Sequence, residues 1–326
     1  MPSAAAISRR PVAERLAGVV PEIERHILEP IITEIDRLKD ERNAVVLAHN
    51  YMTPDIFHGV ADVRGDSLQL ARLGAEAEAD IIVMAGVHFM AETAKILSPE
   101  KTVLIPDARA GCSLAESITP ADIALMREQY PDSPVVTYVN TSAAVKAASD
   151  ITCTSSNAVQ VVESLDADRV IFTPDQYLGA WVAGQTDKEI ILWEGACEVH
   201  ERFTGAELAA MRDENPGLRI IAHPECPGDV LDEADYVGST AGMSNWIRDE
   251  QPVKVAMVTE CSMADNVAQL APDTEFVRPC NMCPHMKRIT VHNIRTALEN
   301  LEVEVHVDPA EISGANRALE AMLAVT

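Results

Sequence analysis

Positive charge is scarce in this chain of 326 residues. Only 26 basic residues stand against 51 acidic ones, for a formal net charge of −25. A surface so acidic repels a phosphate backbone or an anionic membrane face, which argues against nucleic acid and lipid as partners. Cysteine is scarce too. Seven thiols, scattered and odd in number, cannot build the disulfide framework of a small secreted domain, and a reducing cytoplasm suits them better. Long apolar runs are missing: a stretch such as Ile81 to Val87 is far too short to cross a bilayer. Arg9 and Arg10 hint at a twin-arginine export signal, but Glu14 and Arg15 interrupt the apolar core that would have to follow, so the segment reads as a tail. Also missing are GxGxxG and GxxxxGK[ST], which leaves a Rossmann dinucleotide site or an NTPase loop without support.

What is present is a large apolar fraction, 47%, enough to bury a sizeable core in two or three domains. Pro21 to Asp40 carries Ile23, Ile27, Ile31, Ile35 and Leu38 at helical spacing, predicting an amphipathic helix that packs on the first unit. Beyond it one pattern recurs. A short apolar strand opens each time, at Ala44–Ala48, Val135–Val139 and Leu218–Ala222. An acidic residue then leads into a hydroxyl-bearing turn: Asp62 to Ser67, Asp150 to Ser156, Asp235 to Thr240. A helical stretch and a second strand follow (Ile81–Ala85, Arg169–Thr173, Val253–Thr259). A further helix leads to a last short strand (Thr102–Ile105, Glu189–Trp193, Glu275–Val277) and then to a cysteine loop. Short strands alternating with helices predict parallel sheets covered on both faces.

The fold expected is therefore α/β: three similar three-layer αβα domains with parallel sheets, arranged with internal pseudo-threefold symmetry. The boundaries read as a tail and helix over 1–40 and units over 41–130, 131–215 and 216–290, with C-terminal helices over 291–326 packing on the body. Ligands of open α/β sheets collect outside the carboxyl ends of the strands, which is where the singled-out residues fall.

The three loops deliver Cys112, Cys197 and Cys283, separated by 85 and 86 residues. Thiolates hold iron–sulfur clusters, and a [4Fe–4S] cluster with three protein ligands leaves one iron open as a Lewis acid. The competing reading is that each buried thiol packs as a small hydrophobe. Cys280 and Cys283 form a CxxC, but the second pair or the histidine spacing of a zinc site is absent, and so is a thioredoxin-like βαβ pattern. Cys280 reads as a spare thiol or as a reversible disulfide partner of Cys283. Cys153, Cys226 and Cys261 read as core or turn residues.

His49 and His223 close equivalent strands, and Tyr51 and Glu225, two residues beyond them, supply candidate acid and base groups. His26, His58, His292 and His306 match no repeat position and read as surface or packing residues. His88, His200 and His285 receive no assignment. Ser67, Ser155, Ser239 and Thr240 lie in turns that open helices, where unpaired backbone N–H groups favour an anion; ordinary N-capping is the plainer reading of each.

His49-Asn-Tyr51, Gly65-Asp-Ser-Leu68, Gly111-Cys-Ser-Leu-Ala115, Tyr138-Val-Asn-Thr-Ser142, Thr154-Ser-Ser-Asn157, His223-Pro-Glu225, Gly238-Ser-Thr240 and Cys283-Pro-His-Met-Lys287, in that order, resemble the quinolinate synthase family. The resemblance runs from about Ala44 to Lys287. It implies a three-domain α/β fold with a [4Fe–4S] cluster held by Cys112, Cys197 and Cys283. It also implies condensation of iminoaspartate (iminosuccinate) with dihydroxyacetone phosphate to quinolinate, phosphate and water in NAD biosynthesis. The iminoaspartate would come from an aspartate-oxidising or aspartate-dehydrogenating enzyme. Substrate contacts carry over to His49, Ser67, Tyr138, Val139, Asn140, Ser155, His223, Pro224, Glu225 and Thr240, with Ser239 beside them. Tyr51 and Glu225 are similar to the family's acid–base residues, and His223 joins them in moving protons. The Pro-His-Met-Lys that follows Cys283 marks it, rather than Cys280, as the ligand. Where some members carry CxxCxxC, this chain has Arg278-Pro279 ahead of Cys280. Two other classes fit a similar cluster, an open-iron dehydratase and a non-catalytic iron–sulfur sensor.

Overall fold

The computed structural model describes residues 10–325; residues 1–9 of the expected tail lie outside them, and the part that is described is no tail, since Val12–Leu16 is a short helix with Leu16 buried and Arg15 paired to Asp36. Each β-branched run bounded by turn residues becomes a short strand. In chain order these are β1 (Ala44–His49), β2 (Val63–Gly65), β3 (Ile81–Ala85), β4 (Thr102–Leu104), β5 (Val135–Tyr138) and β6 (Ile151–Cys153). They continue as β7 (Arg169–Thr173), β8 (Glu189–Leu192), β9 (Arg219–Ala222), β10 (Tyr236–Val237), β11 (Lys254–Val258) and β12 (Glu275–Val277). They form three four-stranded sheets of identical order, β2-β1-β3-β4, β6-β5-β7-β8 and β10-β9-β11-β12. Every pairing within them is parallel. With helices flanking each sheet, this is the α/β architecture that the alternating pattern predicts.

The sequence pattern left out β2, β6 and β10. These edge strands are two or three residues long and occupy part of what reads as the hydroxyl turn, between the acidic residue and the hydroxyl. The acidic residue ahead of each explains itself here. Asp62, Asp150 and Asp235 accept the backbone N–H of Val46, Val135 and Ile220 at 2.8, 2.7 and 2.7 Å. Their own N–H groups return a bond to the carbonyls of those same three residues.

A basic side chain from the preceding helix completes the clip in every repeat. Lys39 reaches Asp62 (2.8 Å) and the carbonyl of Val60. Arg127 reaches Asp150 (2.9 Å) and the carbonyl of Ala148, and Arg212 reaches Asp235 (3.3 Å) and the carbonyl of Glu233. These charge-assisted bonds fix where the first strand of each sheet begins. Of the three basic side chains only Lys39 is buried, and removing it would cost the partly exposed Asp62 one charged hydrogen bond, about 1.5–3 kcal/mol.

Two compact units divide the chain. The first comprises residues 1–111, 262–266 and 282–306 and contains the β2-β1-β3-β4 sheet. Helix Glu22–Arg42 packs on β1 and on helix Val291–Asn300, and residues 303–305 run antiparallel along β4. The expected apolar stripe of that first helix is only half used. Ile35 and Leu38 are buried together with Ile32, whereas Ile23 and Ile27 are 79% and 63% exposed. The change comes at Pro30, which has no N–H to continue the helical ladder and separates the packed half from the unpacked one.

The second unit comprises residues 112–261, 267–281 and 307–326 and contains the other two sheets. Helix Pro309–Ala324 packs on helix Ala143–Ala148 and on β6, as expected of the C-terminal stretch. Gly314 permits the approach, since a Cβ there would lie 3.0 Å from Ala147. No helix among the described residues is long and apolar enough to cross a membrane.

Candidate active site

The three cysteine loops share a backbone design. Each cysteine carbonyl accepts the N–H four residues on, from Glu116, Glu201 and Lys287, so each thiol sits at the start of a helical turn. Seven residues after each cysteine a threonine, Thr119, Thr204 or Thr290, caps a ten-residue helix through its side chain. The sequence carried this as C-x6-T, a signal that spacing between cysteines alone does not show.

Cys112, Cys197 and Cys283 are half-buried. Cys112 and Cys197 belong to the second unit, where Ser113 pins their loops together: its hydroxyl donates to the Ala196 carbonyl (3.2 Å) and accepts from the Glu198 N–H (3.1 Å). Burial pushes the Cys197 thiol well up, and the charges of Glu225 and Cys112 push it further. A thiolate there would need a cation beside it, which is compatible with a metal-ligating role. Cys283 belongs to the first unit, where its sulfur accepts the Met286 N–H at 3.5 Å.

Glu225 is the centre of a buried network in the second unit. Tyr138 donates its hydroxyl to Oε1 at 2.5 Å, and His200 Nδ1 meets Oε2 at 2.8 Å. Burial alone would push this carboxyl up, but the His200 and His223 imidazoles and the bonds from His200 and Tyr138 outweigh it and hold the group down. Asp175 goes the other way, pushed well up by burial and then by the Glu225 charge. His223 stacks on His200, with ring centroids 4.7 Å apart and an interplanar angle of 19°. Its Nδ1 accepts the Glu225 N–H (3.4 Å), so the proton stands on Nε2, which faces Ser155 Oγ at 3.2 Å. Donor atoms of Cys197, His200 and Glu225 lie within 4.8 Å of one another, a set of metal-ligating type.

The first unit repeats the strand-end geometry with other chemistry. His49 Nδ1 accepts the Tyr51 N–H at 3.2 Å, and the two rings meet edge-on at 4.6 Å. The turn is held through its carbonyls. Asn266 donates to the oxygens of Asn50 (2.9 Å) and Met52 (2.7 Å), and Lys287 Nζ donates to that of Tyr51 (2.8 Å) and to Ser262 Oγ (2.7 Å). Lys287 is the last residue of Cys-Pro-His-Met-Lys, so the cysteine loop and the Tyr51 turn are joined directly.

The hydroxyl residues divide. Ser239 is an ordinary N-cap, accepting from the Gly242 N–H, and also receives a bond from Ser156. Ser67 and Thr240 are instead the first residues of their helices, with Asp66 as the cap ahead of Ser67. Ser155 lies in the turn that Asn157 closes by accepting from Thr154. Val139 and Pro224 are buried beside Tyr138 and Glu225 in the chain. Asn140 Oδ1 is a buried acceptor with no hydrogen-bond partner among the described residues.

One cysteine reading changes, and two histidines take definite places. Cys280 pairs with Cys261, not with Cys283, because a parallel bridge between Glu260 and Asn281 sets the two Cα atoms 5.0 Å apart, within disulfide range. His58 is buried and held down at about 4, first by burial and then by the Arg64 charge. His200 belongs to the site. No repeat signal could have found it, because the equivalent positions after Cys112 and Cys283 are Ala115 and Met286.

Comparison with known proteins agrees with the geometry. The family model described as quinolinate synthetase A protein matches residues 33–324. A quinolinate synthase of Agrobacterium fabrum is 61% identical over 98% of this chain and 92% of its own length. Quinolinate synthase 1 of Mesorhizobium japonicum is 59% identical over 96% of each chain, and a quinolinate synthase of Xylella fastidiosa is 60% identical over 90% of this chain and 87% of its own. The chain belongs to the quinolinate synthetase A protein family, a family of enzymes.

Proposed function

We propose that this enzyme condenses iminoaspartate with dihydroxyacetone phosphate to give quinolinate, phosphate and water, in the cytoplasm, with a [4Fe–4S] cluster held by Cys112, Cys197 and Cys283. The observation that carries the reading is the buried Tyr138–Glu225–His223–Ser155 network built beside the Cys197 loop. When bound, such a cluster supplies an open iron that polarises an oxygen of the substrate.

The chain's own groups take the protons. Glu225 is ionised and receives a proton from the carbon that becomes nucleophilic as the enamine of iminoaspartate displaces phosphate. His223 presents Nε2–H to a departing oxygen, and Tyr51 serves as the second donor, its turn held by Lys287 and Asn266. Ser239, Thr240 and the N–H groups at the start of helix Thr240–Glu250 hold the phosphate. Asn140 Oδ1 accepts from the substrate amine, and His49, Ser67, Val139, Ser155 and Pro224 complete the contacts. Anaerobic purification, iron and sulfide counts and an assay for quinolinate with both substrates test the proposal. Cys112→Ala is expected to lose the brown chromophore and turnover together; a colourless variant that still makes quinolinate refutes the cluster assignment. Phosphate release separates the reaction from that of a dehydratase acting on one substrate.

A further inference from the structure

We infer that His200 is the positioning residue for Glu225, locking the carboxylate through Nδ1 while its own ring is locked from the other side. The inference rests on the acid–base role given to Glu225 above. His200 is 1% exposed, and three contacts fix it. Nδ1 meets Glu225 Oε2 at 2.8 Å, Nε2 meets Thr259 Oγ1 at 2.9 Å, and the ring face stacks on His223. Two bonds at opposite corners of a ring define its plane, and the stack defines its tilt, so the imidazole has no rotation left to make.

The consequence falls on Glu225. An unbranched carboxylate has three torsions, and a base that must meet a proton within hydrogen-bond reach needs all of them set beforehand. An ionised carboxylate only accepts, so Nδ1 carries the proton of that bond and Nε2 can take the Thr259 hydroxyl. Tyr138 already occupies Oε1, so a carboxylate freed from His200 would pivot about the Tyr138 bond. The anchor comes from two places: Thr259 follows directly on β11, and His200 lies three residues after Cys197. The carboxylate is thereby referenced to the cysteine loop as well as to the sheet.

The two amide substitutions separate positioning from packing. Asparagine places its Nδ2 where Nδ1 stood and can keep the bond to Glu225; glutamine reaches to where Nε2 stood and keeps Thr259 instead. Glutamine fills more of the vacated space, so a residue that merely packs would tolerate it better than asparagine. Full-length wild type, His200→Asn, His200→Gln, His200→Ala, Thr259→Val and Glu225→Gln are compared for kcat, KM, iron content and melting temperature.

Positioning predicts that His200→Asn keeps kcat within about tenfold of wild type while His200→Gln and His200→Ala fall about a hundredfold, with KM and iron content little changed. Thr259→Val, nearly isosteric, should fall about tenfold and carries the test by itself if the His200 variants do not fold. Glutamine performing as well as asparagine, all His200 variants staying near wild type, or an unchanged Thr259→Val would each overturn the inference. The underlying reading fails differently. A wild type that makes no quinolinate, or a Glu225→Gln enzyme at full rate, removes the role of Glu225, and the inference falls with it.

Discussion

The ends of β1 and β9 start from the same backbone device and finish as different instruments. In both, a histidine closes the strand and its Nδ1 accepts the N–H two residues on, from Tyr51 in one case and Glu225 in the other. At β1 the turn is then fastened by its carbonyl oxygens, which Asn266 and Lys287 hold. At β9 it is fastened by the Glu225 side chain itself, which Tyr138 and His200 hold. A repeated fold thus fixes where two groups stand and leaves their ionisation to whatever local partners supply. Backbone fastening sets where a phenol stands; side-chain fastening also sets the charge of a carboxylate.

The hardest blow to the β9 end is Glu225→Gln. Removing the proposed base is expected to lower kcat by about 10²–10⁴, with the melting temperature showing whether the fold survives. An active variant would show that the β9 end is structural. At the β1 end, Lys287→Met is the matching test. It removes the donor shared by the Tyr51 carbonyl and Ser262, and each charged hydrogen bond contributes about 1.5–3 kcal/mol. Turnover should drop with Tyr51→Phe rather than with Glu225→Gln in its dependence on each substrate, which steady-state kinetics of the three variants would reveal.

Acid should separate the two ends further. Burial and Arg64 hold His58, in the wide turn after Tyr51, down at about 4 against an ordinary 6.5. The unfolded chain therefore binds the extra proton first, so the stability present above pH 6.5 drains away as pH falls toward 4, by up to about 3 kcal/mol. Glu225, also held down, contributes stability above its ordinary 4.5 that is lost only below that value. Asp175 opposes it, since a raised carboxyl favours the fold in acid. Denaturant melts between pH 7 and 4 should show a decline that His58→Gln flattens; an unchanged slope would discard the assignment. The smallest effect belongs to the caps that follow the cysteine loops: Thr204→Ala and Thr290→Ala should each cost about 1 kcal/mol, measurable as equal shifts in thermal midpoint if the loops are equivalent.

Sequence reached the repeat because its signals recur at long, equal intervals, and recurrence does not depend on guessing an element correctly. It placed nine of the twelve described strands and the residues at their ends. It missed β2, β6 and β10, which lie inside the stretches that read as hydroxyl-bearing turns, and it took Ser67 and Thr240 as turn residues where Asp66 and Ser239 do the capping. His200 escaped because its role arises from a contact with Glu225 that one chain segment cannot announce. Cys261 and Cys280 escaped for a similar reason, since their pairing depends on a bridge between strand-end residues 260 and 281. Asp62, Asp150 and Asp235 were visible as a recurring acid, but the N–H they accept became clear only with the strands in place.

The seven-residue interval between each cysteine and its threonine ties two tasks to one piece of chain. An added or deleted residue there would either turn a sulfur away from its post or start the next helix out of phase, so the length of these loops is constrained in its own right, beside the contacts that Ser113, His200 and Lys287 make within them.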